Sequence, residues 1–338
     1  MLVLESERSF LALQNHQTLI QQPPDSYKYP VLTLPNEIIC EIFLQFLPVY
    51  PECPPWVGTL SPTSLTHICR QWRDIALATP TLWRAMYIPL DVDIPFEHQV
   101  HELDKWLSRS RGCPFSIIIE ELNLHSSGRD FIFSSALCAR WEHLKVFLYQ
   151  PPFLTIEGPM PLLHHLDLAI EDPEMDPDPI VLGEAPLLRS AILNHIAAVK
   201  VVLPWGQLTS LTLNHIYPDT CVFILQQTSN LVDCTLVLSA DSSGPWPDVK
   251  LLCLESLILV PLHFNSTVPG YLETLIMPAL CSLKVEEQLL GYEPIEALTS
   301  FISKSGCKPQ DMYISGGRRI SKDVYRAAFP SVKLSFEE

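Results

Sequence analysis

Leu208-Thr209-Ser210-Leu211-Thr212-Leu213 is the stretch on which the fold turns. A leucine is followed by others three and five positions on. The last two lie two residues apart, which is the period of a strand that buries one face. The unit returns at Leu163, Leu166, Leu168, at Leu254, Leu257, Leu259 and at Leu280, Leu283, Val285. Weaker copies are Leu144, Phe147, Tyr149, then Leu188, Ala191, Leu193, then Leu231, Cys234, Leu236. Successive first positions lie 19, 25, 20, 23, 23 and 26 residues apart. A unit this short cannot bury its apolar face alone, so neighbouring units are expected to stack into a solenoid.

Spacings of this size are those of leucine-rich repeats. The asparagine or cysteine that such repeats carry eight positions after the first leucine is missing, because those places hold Glu171, Ile216, Ser239, Leu262 and Gln288. The array is therefore expected to be irregular. Phe115 to Ile119 reads as a β-branched strand, and Ser331 to Phe336 as an alternating strand that closes the array. Between the strands, Pro218 to Ser229 and Pro294 to Lys304 read as helices on the outer side.

Upstream the character changes. Residues 1–32 read as a polar helix and linker, broken by Pro23, Pro24 and Pro30. Over 33–88 three short helices are expected. Pro35 suits the first helical position and Glu37 the first turn, and Ile38, Ile39, Ile42, Phe43, Phe46 and Leu47 follow a 3.6-residue stripe. A segment of about fifteen residues with five prolines, 48–62, then intervenes, long for a helix–helix connection. A second helix is expected from Ser64 to Leu77, with Leu65, Ile68, Cys69, Trp72, Ile75 and Ala76 on one face. Thr79-Pro80 opens a third through Leu82 and Trp83. So few residues cannot bury this much apolar surface among themselves, and the surplus calls for a partner. The expected fold is α+β or α/β: a small three-helix unit over 33–88 ahead of an irregular solenoid over 89–338.

Composition narrows the function. The chain has 338 residues, 22 basic and 38 acidic, for a net charge of −16. Acidity of this size argues against nucleic acid, whose phosphates need a basic stripe, and against anionic membrane surfaces. Hydrophobic residues make up 47% and the mean hydropathy is +0.18, enough to build a sizeable core. No run approaches the roughly 18 apolar residues that span a bilayer. Glu5, Glu7 and Arg8 interrupt any signal-peptide core. The ten cysteines form no C-x-x-C pair and read as buried free thiols in a reducing compartment, cytoplasmic or nuclear.

The helical residues carry a resemblance. Leu34-Pro35-Asn36-Glu37-Ile38-Ile39-Cys40-Glu41-Ile42-Phe43 resembles the opening of an F-box, and Ser64 to Trp83 its second half. The proline-rich insertion between them is similar to that of the F-box proteins abundant in mushroom-forming fungi. Trp106 to Ser110, Leu203 to Leu211 and Tyr325 to Pro330 resemble that group too. The resemblance implies an adaptor that binds the Skp subunit of a cullin-RING (SCF-type) ubiquitin ligase and presents a protein substrate through its repeats. By the same resemblance Leu34, Pro35, Ile38, Ile39, Ile42 and Phe43 would meet the Skp adaptor, together with Ile68, Trp72, Leu82 and Trp83. The insertion and Asn36 depart from the usual F-box pattern.

Catalytic chemistry finds little support. There is no glycine-rich phosphate loop and no nucleophile elbow. His98 and His101, among Glu97, Glu102 and Asp104, read as a solvated polar helix, and His164-His165 would face opposite sides of a strand. Glu171 to Asp178 holds five carboxylates in eight residues but lacks the calcium-loop pattern. The group Arg318, Arg319, Lys322 and Arg326 reads as a surface face. No catalytic residue, metal or cofactor is therefore expected. Residues 142–303 hold 5 basic and 19 acidic side chains, so a substrate of the repeats is expected to be basic or neutral rather than phosphorylated.

Overall fold

The computed structural model describes residues 33–89, 96–120, 135–148, 158–171, 180–182, 184–239, 244–263, 268, 270–316 and 319–336. The segment 1–32, Tyr149, Arg318 and the acidic run after Glu171 lie outside them.

Alternating apolar residues produce one parallel sheet of eleven strands, each beside its chain neighbour. The strands are β1 (Ala85–Pro89), β2 (Phe115–Glu120), β3 (Trp141–Leu148), β4 (His165–Ile170), β5 (Ser190–Asn194) and β6 (Ser210–Ile216). They continue as β7 (Asp233–Leu238), β8 (Ser256–Pro261), β9 (Ser282–Glu286), β10 (Asp311–Ser315) and β11 (Lys333–Phe336). The leucine positions align across the strands: Leu166 pairs with Ala191, Leu211 with Cys234 and Leu257 with Leu283. All these side chains are buried on one face. The protein is a mixed α/β structure built on this sheet.

A second regularity lies in the backbone. The carbonyls of His164, Arg189, Thr209, Val232, Glu255 and Cys281 each accept two N–H groups from the following unit, at 2.8–3.2 Å. The unit is thus fixed twice, by apolar burial and by a repeated bifurcated bond that leaves no orphan amide at the strand entrance.

Several expectations need correction. The first unit is framed on Trp141, Leu144 and Val146, three residues earlier than Leu144, Phe147, Tyr149, and Phe147 points to the open face. An aromatic in the leucine position hid the frame. The eighth position lacks its asparagine, but asparagines elsewhere bond the neighbouring unit: Asn194 donates to the Ile170 carbonyl at 2.6 Å and accepts its N–H at 3.2 Å, and Asn230 donates to the Gly206 carbonyl at 2.6 Å. The strand β1 was not anticipated.

Helices and short turns cover the buried face. We label the longer helices α1 (Asn36–Phe46), α2 (Arg70–Ala78), α3 (Phe96–Ser110), α4 (His195–Lys200), α5 (Pro218–Leu225), α6 (Pro294–Ser305) and α7 (Lys322–Ala328). α5 stops four residues before Ser229, and Phe223 turns outward while Cys221, Val222, Ile224 and Leu225 are buried. α6 ends on Gly306 in the left-handed conformation, whose N–H bonds the Ile302 carbonyl at 2.9 Å. Among the described residues no helix is long and apolar enough to cross a membrane. All ten cysteines are free, but only Cys138, Cys221, Cys234 and Cys307 are buried and Cys253 is exposed.

Candidate functional site

The helix α1 carries apolar residues on two sides. Ile39 and Phe43 are fully buried, and Phe43 meets Trp72 edge-on at 4.9 Å. Ile38, Ile42 and Phe46, at i, i+4 and i+8, form a second stripe and are 49%, 41% and 38% exposed. α1 is thus apolar on two sides, with Glu37, Glu41 and Gln45 exposed on a third, and the outward stripe is exposed apolar surface.

The predicted second helix is broken. A one-turn helix, Pro62–Leu65, ends at Thr66, and α2 restarts at Arg70 with the Cys69 sulfur accepting the Trp72 N–H at 3.4 Å. The break ejects Ile68, which is 60% exposed instead of sharing the face of Leu65 and Ile75. Leu77 is also exposed. The third segment is a 3-10 turn, Pro80–Trp83.

The ten residues implied by the resemblance therefore divide. Pro35, Ile38, Ile42 and Ile68 are exposed, and Leu34 and Trp72 are half-buried. Ile39, Phe43, Leu82 and Trp83 are core residues, so in this conformation they pack the unit and do not face a partner. Trp83 shows why: its Nε1 donates to the Ala76 carbonyl at 2.9 Å, its ring meets Trp106 of α3 at 5.2 Å, and the Arg109 guanidinium lies 4.3 Å above it. Trp83 is the joint between the helices and the sheet. Phe46 and Leu77 were not among the predicted site residues, although Phe46 completes the four-residue period of Ile38 and Ile42.

The proline-rich insertion folds back across the open face of β1–β3. The Tyr50 hydroxyl donates to the Glu142 carboxylate, and the Tyr50 ring packs edge-on against His143 at 5.6 Å and under the Arg84 guanidinium at 3.8 Å. The Pro51 carbonyl accepts the Ser116 hydroxyl at 2.7 Å, and the Tyr87 N–H bonds the Pro54 carbonyl at 3.3 Å. Burial, followed by the bond to Glu142, pushes the Tyr50 phenol above its ordinary value. Burial also lowers the His143 and His165 imidazoles below the ordinary histidine value. The insertion thus does two things that its composition did not announce. It caps the exposed edge of β1, and it ties the helical unit to the sheet.

His98 and His101 are exposed on α3, and among the described residues no three His, Cys, Asp or Glu side chains are placed to hold a metal ion. His164 is exposed while His165 bonds Ser190 at 3.1 Å, consistent with their facing opposite ways. Compared with known protein families, with curated proteins and with solved structures, the chain has no match.

Proposed function

We propose that the chain is the substrate-recognition adaptor of an SCF-type ubiquitin ligase. In this reading 33–88 is an F-box that docks on the Skp adaptor, and through it on a cullin scaffold, and 89–338 is a leucine-rich-repeat-like domain that holds a protein substrate. The observation that carries it is the uncovered stripe Ile38, Ile42 and Phe46 on a helix whose other side is already packed. Each such side chain contributes about 1.5–3 kcal/mol when a partner removes it from water. With Pro35, Ile68 and Leu77 the sum exceeds a typical association cost of several kcal/mol. The adaptor carries out no chemistry. It raises the local concentration of a substrate lysine near a charged enzyme held elsewhere in the assembly. Neither nucleic acid nor a membrane is among its partners, and it works in the cytoplasm or nucleus.

The test is a pull-down of purified Skp adaptor by the full chain. Ile38→Asp with Ile42→Asp is expected to abolish recovery, and unchanged recovery would sink the reading. A second reading, an interaction scaffold that engages no ligase, draws on the burial of Ile39, Phe43, Leu82 and Trp83, which removes four expected contacts. It predicts no Skp-adaptor recovery even by the unaltered chain.

A further inference from the structure

The helical side of the sheet ends in a mismatch of lengths. α6 spans twelve residues, whereas α7, in the next unit, spans only seven. After α7 the chain turns at once. The Phe329 N–H bonds the Tyr325 carbonyl at 3.0 Å, the Val332 N–H bonds the Phe329 carbonyl at 3.2 Å, and β11 begins at Lys333. One flank of α6 therefore faces this turn across a cavity of about 810 Å³. Ile302, Phe329 and Val332 line it with apolar carbon, and Ser303 and Lys308 are exposed at its rim. None of its lining residues belongs to α7.

The charge around this cavity runs against that of the chain. Residues 304–333 hold seven basic and two acidic side chains, in a protein whose net charge is −16. The cavity is lined by two lysines and by no carboxylate. Glu293 and Glu296 line a different hollow, toward the other end of α6. Most of the cations here are already engaged. Lys304 pairs with Asp248, Lys333 with Asp311 at 3.1 Å and Arg326 with Asp323 at 3.2 Å. Arg319 lies over the Tyr292 ring and Lys322 over Phe336. Lys308 forms no ion pair among the described residues. An apolar hollow of several hundred Å³ with a charge at its rim suits an apolar side chain that a single polar contact orients.

We propose that the notch between α6 and the entrance of β11 docks an acidic segment of a partner protein. An apolar side chain of that segment enters the cavity against Ile302, Phe329 and Val332, and a neighbouring aspartate or glutamate meets Lys308. Charge complementarity selects the occupant: the local excess of cations attracts an acidic segment, and the acidic remainder of the chain repels it from other surfaces. The notch lies apart from the stripe on α1 and from the open face of the sheet. It therefore serves a contact distinct from both, and it does not rest on the ligase reading.

The probe is a displayed library of random twelve-residue peptides, selected on the immobilised full chain and depleted on a chain carrying Ser303→Trp. Ser303 is exposed, so the indole obstructs the cavity from its rim, and circular dichroism checks that the variant remains folded. The surviving peptides are expected to share an aspartate or glutamate beside an apolar residue. Lys308→Glu is expected to weaken them by about tenfold or more and to reselect lysine or arginine at the acidic position. Survivors with no shared acidic position, or survivors indifferent to Lys308→Glu, would overturn the proposal. So would a selection from which no peptide survives. Ile38→Asp with Ile42→Asp is expected to leave the survivors bound, so failure of the ligase reading and failure of this one are distinguishable.

Discussion

At the residue scale, two side chains carry structural duties out of proportion to their size. Tyr50 reaches 92 positions along the chain to donate to Glu142. A hydrogen bond to a charged group contributes about 1.5–3 kcal/mol when buried, and less at a half-exposed site such as this. Tyr50→Phe is therefore expected to lower the stability by about 1 kcal/mol in urea titration. The phenol is held above its ordinary value, so the folded state binds that proton more tightly than the unfolded chain. Its contribution is complete below pH 10 and fades as the pH rises further, and Tyr50→Phe should flatten that alkaline loss. The neighbouring histidines act in the opposite sense. His143 and His165 are lowered, so their contribution is complete above the ordinary histidine value of 6.5 and is lost as the pH falls below it through their lowered folded values. Thermal melts between pH 7.5 and 5 should show the loss, and His143→Asn with His165→Asn should reduce it.

Glu287 is the second such residue. It is 1% exposed, and its Oε1 accepts the N–H groups of Arg319 and Ile320 at 2.9 and 3.1 Å. It fastens the loop that precedes α7. Glu287→Ala would remove the shared acceptor of both amides, a cost of about 1–3 kcal/mol. A urea midpoint indistinguishable from that of the unaltered chain would contradict this role.

At the scale of elements, α1 separates packing from docking. Phe43→Ala removes a fully buried ring and is expected to cost about 3–5 kcal/mol in urea denaturation. Ile42→Asp, one position away on the outward stripe, is expected to change stability by less than about 0.5 kcal/mol. The sheet was legible in the sequence because period-two alternation is local and nearly every unit repeats it. The frame at Trp141 was misread because the repeat was followed through leucine, and an aromatic fills that place. The second helix was misread for a related reason. Its apolar spacing is helical, but the Thr66 hydroxyl bonds the Thr63 carbonyl at 2.6 Å and Cys69 takes over as a cap, so the helix stops and restarts. Of the ten predicted site residues, the pattern marked eight as apolar helical positions, and Leu34 and Pro35 entered through the resemblance. It could not say which side the core would take, because α1 is apolar on both.

At the scale of the molecule, helical unit and sheet are joined by large buried side chains and by a strap. Trp83 and Trp106 lie face to edge between them, and the insertion crosses β1–β3. Such contacts exceed those of a flexible linker, and calorimetry is expected to show one cooperative transition instead of two. None of this joint was visible in the sequence, since each contact links residues distant along the chain. A fixed joint suits an adaptor, because the distance between a docked ligase and a held substrate then does not drift.

The central claim is that the outward stripe of α1 is covered by the Skp adaptor. Backbone amide exchange of the full chain, with and without purified Skp adaptor, addresses it directly. The account predicts added protection over 34–46 and 68–77 and none over β5–β8. Unchanged exchange across α1 at saturating Skp adaptor would contradict it.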